Sequence, residues 1–142
     1  MIARTMLTAL ALCAALFWRA APARADVAVE GAAVVGNGSA SGGAALSLGL
    51  FRVPVIPLSA DLTVAVPFNG GYATTADARF GLAGTAVGVG AGFGTVGDRS
   101  RSSVLYDALI AQSIAPHTAL QARVYFGPNR SATAFLGIRL AL

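Results

Sequence analysis

The sequence predicts an all-β fold, an eight-stranded antiparallel up-and-down barrel, on three observations. Apolar and polar residues alternate with a period of two in eight separate segments. Stretches rich in Gly, Pro, Asn and Ser, such as "FNGG", "VGDRSRSS" and "GPNRS", stand between those segments. Every charge that falls inside a segment lies on the same face, opposite the apolar row.

Residues 1–25 stand apart from this pattern. Arg4, an apolar stretch from Leu7 to Trp18, Pro22 and the A-x-A site Ala23-Arg24-Ala25 read as a Sec-type signal peptide cleaved before Asp26. Twelve helical residues span only about 18 Å, short of the ~30 Å hydrocarbon core that a permanent anchor must cross. Leu12 before Cys13, where a small residue is expected, argues against a lipoprotein. The whole chain has 142 residues, a net charge of +4 and a pI near 10.2, values that alone would point to nucleic acid. Three of the ten arginines and none of the six acids belong to the leader, so residues 26–142 set seven Arg against six acids. A net of +1 excludes a nucleic-acid partner as the reading. The only Cys and the only Trp also lie in the leader, so the barrel domain, 26–142, has neither a disulfide nor a Cys-based metal site.

The segments follow in order. In 27–35, Val27, Val29, Gly31, Ala33 and Val35 oppose Ala28, Glu30, Ala32 and Val34. After "GNGSASG", 44–50 sets Ala44, Leu46, Leu48 and Leu50 against Ala45, Ser47 and Gly49. Between "RVPVIPL" and "FNGG", 59–68 sets Ala60, Leu62, Val64, Val66 and Phe68 against Ser59, Asp61, Thr63 and Ala65. In 72–80, Tyr72, Thr74, Ala76, Ala78 and Phe80 oppose Ala73, Thr75, Asp77 and Arg79. "GLAGTA" leads to 87–94, where Val87, Val89, Ala91 and Phe93 oppose Gly88, Gly90, Gly92 and Gly94. In 104–110, Val104, Tyr106, Ala108 and Ile110 oppose Leu105, Asp107 and Leu109. "IAPHT" precedes 118–127, in which Thr118, Leu120, Ala122, Val124 and Phe126 oppose Ala119, Gln121, Arg123, Tyr125 and Gly127. The last segment, 131–142, sets Ala132, Ala134, Leu136, Ile138, Leu140 and Leu142 against Ser131, Thr133, Phe135, Gly137, Arg139 and Ala141. After the leader there is no sustained 3.6-residue period and no apolar run of eighteen, so a helical span is excluded as the reading.

The charges decide which way the sheet faces. Glu30, Asp61, Asp77, Arg79, Asp107, Arg123 and Arg139 all lie opposite the apolar row, whose companion row is otherwise mostly Gly, Ala, Ser and Thr. A water-facing row would carry Lys, Glu and Gln. The pattern therefore predicts a transmembrane barrel, with the apolar row on lipid and the seven charges as a paired network in a packed, non-conducting lumen. With the mature N-terminus on the periplasmic side, Phe68, Tyr72, Phe93, Tyr106 and Phe126 fall at the outer ends of their strands as an aromatic girdle. The opposite girdle has Phe80 alone. Arg139 is expected to pair with a lumenal acid, with Glu30 across the closing seam as the candidate.

"VGVGAGFG", "IAPHTALQARVYFG" and "ATAFLGIRLAL" together resemble the small eight-stranded outer-membrane β-barrels of Gram-negative bacteria, of the OmpA transmembrane-domain and OmpX type. The resemblance implies a Gly-alternating strand, a periplasmic turn before an Arg- and Tyr-bearing strand, and a C-terminal strand read by the barrel-assembly machinery. It implies outer-membrane lipid as the surroundings and a monomer. The family usually ends in Phe, where this chain has Leu142.

Motifs that could carry chemistry are weak. Gly92 to Gly97 fits G-x-G-x-x-G, but polar "DRSRSS" follows where a nucleotide site needs a helix. His117, the only His, follows Pro116 in a predicted turn and lacks a neighbouring nucleophile. Metal ligands do not cluster, and "NGS" at Asn37 and "NRS" at Asn129 are turn signals before they are sequons. Arg99 and Arg101 could meet lipopolysaccharide phosphate, although a solvated loop is the simpler reading. The expectation is a non-enzymatic barrel without cofactor, with a structural or surface-interaction role. A lipid-modifying or lipid-binding barrel and a secreted soluble barrel for a small apolar ligand are the alternatives.

Overall fold

In a computed structural model that describes residues 26–36, 38–96 and 100–142, the chain forms eight strands. They are β1 (Val27–Gly36), β2 (Ser39–Arg52), β3 (Leu58–Pro67), β4 (Ala73–Leu82), β5 (Thr85–Gly94), β6 (Ser103–Ala115), β7 (Thr118–Phe126) and β8 (Ala132–Ala141). The leader, Asn37, Gly97, Asp98 and Arg99 lie outside the described residues. Each strand pairs antiparallel with the next, and β8 returns to β1, so the sheet closes into a barrel. Closure satisfies the ladder on every seam and leaves no open strand edge. The β1–β8 seam is held over nine residue pairs, from Ala28↔Ala141 to Gly36↔Thr133.

The strands run longer than alternation alone indicates. β2 begins at Ser39, inside the breaker-rich "GNGSASG", because the tight turn that joins β1 to β2 sets Gly36 directly opposite Ser39. Gly38 has φ +73°, the left-handed conformation that such a turn requires. β6 continues to Ala115 because β7 keeps pairing with it past a bulge between Ser113 and Ala115, and the connection shrinks to Pro116–His117. Ala83 and Gly84, both at positive φ, make the equally tight turn between β4 and β5.

Two ends result. The terminal end carries Asp26, Leu142 and the connections 53–57, 83–84 and 116–117, while the distal end carries Gly38, 68–72, 95–96, 100–102 and 127–131. The inner face holds the acids, arginines, threonines, Tyr125 and Phe135, and the outer face exposes Val, Leu, Ile and aromatic side chains. Phe135 packs edge-on against Tyr125, with ring centroids 5.4 Å apart, and with Val34, Val96 and Leu105 fills the distal part of the lumen.

The inner face of β5 is glycine for a steric reason. A Cβ at Gly92 would strike the Thr74 carbonyl oxygen of β4, and one at Gly90 would strike the carboxylates of Asp77 and Asp107. On the outer face, Gly31 has no heavy atom within 4 Å of its hypothetical Cβ. Gly92→Ala is therefore expected to cost about 1–3 kcal/mol by overpacking. Gly31→Ala is expected to be neutral or slightly stabilising, as judged by urea unfolding of the two variants in lipid; equal losses would contradict the steric account.

Candidate functional site

The seven inward charges that the alternation picks out meet in the lumen as two clusters, while Arg52, at the end of β2, pairs with Asp26 at the terminal end. The central one is built on Arg123 of β7, whose Nη2 lies 2.8 Å from Asp77 Oδ2 and whose Nη1 lies 2.8 Å from Asp107 Oδ2. Thr63 donates to the same Asp77 oxygen at 2.8 Å, and Arg123 Nη1 also reaches Thr75 Oγ1 at 3.2 Å. The guanidinium carbon sits 5.7 Å from the centre of the Tyr125 ring. β3, β4, β6 and β7 thus all contribute to one buried cation.

The second cluster lies nearer the terminal end. Asp61 Oδ2 lies 2.7 Å from Arg79 Nε as an ion pair and accepts from Arg139 Nη2 at 3.4 Å, so two guanidiniums share one carboxylate oxygen. Arg79 Nη1 donates to Gln121 Oε1 at 3.0 Å, and Gln121 Nε2 donates to Glu30 Oε2 at 2.5 Å. A chain of contacts runs from Glu30 through Gln121, Arg79 and Asp61 to Arg139. Gln121, buried and central to this chain, was not singled out from the sequence, although its inward parity on β7 was visible.

The expected pairing of Arg139 with Glu30 is corrected. The two residues are opposed in the β1–β8 register, but Arg139 reaches Asp61 instead and Glu30 forms no ion pair among the described residues. The reason is space: nothing large fills the lumen near Arg139, so its long side chain crosses to β3, while the shorter Glu30 is held by Gln121.

That space is a blind vestibule of about 960 Å³, open at the terminal end. Each strand contributes a small inward residue to it: Ala28, Gly49, Ser59 and Gly81 from β1 to β4, and Ala86, Ala111, Ala119 and Ala141 from β5 to β8. Asp61, Arg79 and Arg139 form its floor, and Phe51, Val53, Ile56, Leu82 and His117 stand at its mouth. Packing therefore does not extend along the whole lumen; it begins at the charged layer and continues to the distal end.

On the outside, Phe68, Tyr72, Phe93, Tyr106 and Phe126 are all exposed near the distal end, with Tyr106 opposite Phe126 in register. Tyr72 also donates from its hydroxyl to Ser102 at 3.3 Å. His117 is exposed at φ +61° in its turn, and among the described residues no group of three or more His, Cys, Asp or Glu could hold a metal ion. Arg101 is exposed just before β6; Arg99 and Asn37 lie outside the described residues.

No protein-family model matches the chain, and no curated protein matches it in sequence. Among solved structures, it is similar to Ail of Yersinia pestis in a phospholipid bilayer nanodisc, with a TM-score of 0.58 at 13% identity over 84% of this chain and 100% of that one. The chain has the fold of the small eight-stranded outer-membrane barrels. A crystal structure of Ail with the heparin analogue sucrose octasulfate gives a TM-score of 0.56 at 15% identity, covering 83% of this chain and 97% of that one. A de novo designed transmembrane β-barrel gives 0.57 at 13% identity, covering 83% and 96%. The designed protein makes the point sharply, since it shares the architecture without any shared ancestry.

The two clusters differ in charge balance. Asp61 is the one carboxylate holding Arg79 and Arg139, whereas Arg123 alone answers both Asp77 and Asp107. Asp61→Asn leaves two buried cations short of a counter-ion and is expected to cost about 3 kcal/mol. Asp107→Asn keeps an acceptor for Arg123 while removing the surplus negative charge, and is expected to change stability by no more than ~1 kcal/mol. Unfolding midpoints in urea compare the two, and the reverse ranking would show that the charge balance is misread.

Proposed function

We propose that this chain is an outer-membrane barrel of a Gram-negative bacterium, exported by its Sec-type leader, with a structural or surface-interaction role and no catalytic activity. The observation that carries the reading is the inversion of the fold. Buried arginines and carboxylates occupy the inside of a closed sheet, and a continuous belt of Val, Leu, Ile and Phe covers the outside. Water would penalise that belt, whereas outer-membrane lipid makes it the stable surface. The strands, of 9 to 14 residues, are long enough to cross a bilayer.

In this placement the terminal end faces the periplasm. Phe68, Tyr72, Phe93, Tyr106 and Phe126 lie at the outer headgroup level, and the lumenal charges brace the wall. The middle of the lumen is stopped by Arg123 with its two carboxylates and the distal half by Tyr125 and Phe135, an arrangement that supports a non-conducting barrel. Pairing on all eight seams, interrupted by bulges in β2–β3 and β6–β7 at the terminal end, supports a wall closed to a lipid substrate, and His117 stands at the opposite end from the outer leaflet. Surface interaction then falls to the distal connections, where Arg101 and Arg130 are exposed. Ail has been seen with a sulfated heparin analogue, so anionic saccharide is the partner chemistry to examine first. The barrel acts as a monomer, and β8, ending at Leu142, is the strand presented to the barrel-assembly machinery.

The protein is expected in the outer-membrane fraction, with a gel mobility in SDS that shifts on boiling. Recovery in the soluble periplasmic fraction without a shift would overturn the reading. In planar bilayers the reconstituted protein is expected to give no stepwise conductance, and regular single-channel steps would overturn the sealed lumen while leaving the membrane placement intact.

A further inference from the structure

The vestibule is the feature that a purely structural barrel does not explain. Small inward-facing side chains on all eight strands keep it open, although an eight-stranded barrel is narrow enough for side chains to fill. At about 960 Å³ it lies near the upper end of the volumes of small-molecule sites.

Its floor is short of acceptors. Arg79, with a side chain 6% exposed, pairs with Asp61 through Nε and donates to Gln121 through Nη1, and its buried Nη2 has no hydrogen-bond partner among the described residues. Arg139 has a side chain 18% exposed and, among the described residues, makes one ion pair, at 3.4 Å, to the Asp61 oxygen that Arg79 already occupies. A guanidinium offers five N–H donors, so two of them on one oxygen leave donors that an incoming anion can satisfy. The wall above the floor is uncharged, built of Ala28, Gly49, Gly81, Ala86, Ala111 and Ala119, and at the mouth Val53 and Ile56 stand beside the Asp26–Arg52 pair.

A floor with spare guanidinium donors beneath an uncharged wall matches an amphiphile entering head first. We propose that the vestibule binds an anionic amphiphile, an alkyl carboxylate or alkyl phosphate, with its head on Arg139 and its chain along the small side chains of the wall toward Val53 and Ile56. The inference uses the barrel and its cavity and not the outer-membrane placement, which decides only the compartment that supplies the ligand.

The test is a titration of the exported protein, reconstituted in lipid nanodiscs, with octanoate and with octyl phosphate. Binding is read at the Nε–Hε resonance of Arg139 in arginine-labelled protein, assigned by its loss in Arg139→Gln, so that partition of the probe into lipid is not scored. The SDS mobility shift is recorded on the same preparation beforehand, which separates failure of this inference from failure of the membrane reading. A saturable shift is expected with at least one probe, and the tighter of the two identifies the head group.

Gly81→Leu supplies the control. A Cβ at Gly81 meets nothing closer than 3.9 Å, so the larger side chain fills the vestibule and leaves every charge in place. Affinity is expected to fall at least tenfold in that variant, and inorganic phosphate is expected to bind at least tenfold more weakly than octyl phosphate. Absence of a saturable shift, unchanged affinity in Gly81→Leu, or equal binding of inorganic phosphate and octyl phosphate would each overturn the proposal. Because Gly81→Leu alters no charged group, the test stands even if Arg139→Gln does not fold and the resonance must be assigned from the labelled parent alone.

Discussion

A guanidinium enclosed by protein must have its charge answered, and the lumen is organised around that requirement at Arg123. Asp77 and Asp107 hold it from β4 and β6, Thr63 and Thr75 supply oxygens from β3 and β4, and Tyr125 lies beside it on its own strand. Such a site cannot be assembled by one hairpin. It exists only when the sheet has curved far enough to bring β3 and β4 across from β7, so the closed barrel and the satisfied cation depend on each other.

The glycines of β5 belong to the same constraint. Gly90 stands where any side chain would collide with both Asp77 and Asp107, so its lack of a Cβ is what lets the two carboxylates approach Arg123. Gly92, opposite the β4 backbone, lets the sheet curve tightly at the level where Tyr125 and Phe135 fill the lumen. One glycine-lined strand therefore serves both the central charges and the distal packing. The terminal end follows a different rule, since its small side chains face open space rather than larger partners, and that contrast marks the vestibule as a separate feature of the lumen.

Much of this was legible in the chain because a strand has a period of two. Placing Val29 outside puts Glu30 inside without further information, and the same parity sorts Asp61, Asp77, Arg79, Asp107, Arg123 and Arg139 inward. Strand ends were less legible. Ser39 to Gly43 read as a loop by composition, yet they form part of β2, because small residues accept the ladder that β1 supplies from Gly36 onward, with β3 joining at Gly43. Composition reports a preference, and tertiary pairing overrides it.

The sequence by itself determined the number of strands, the face on which each side chain stands and the inversion of polarity between inside and outside. These follow from alternation along one strand, a local property. Only the tertiary structure decided which charges meet. Arg139 is opposed to Glu30 in register yet contacts Asp61 across the lumen, and Gln121 joins Glu30 to Arg79. Those contacts depend on strand tilt, side-chain reach and the empty space at the terminal end, which arise when eight separate strands close on one axis.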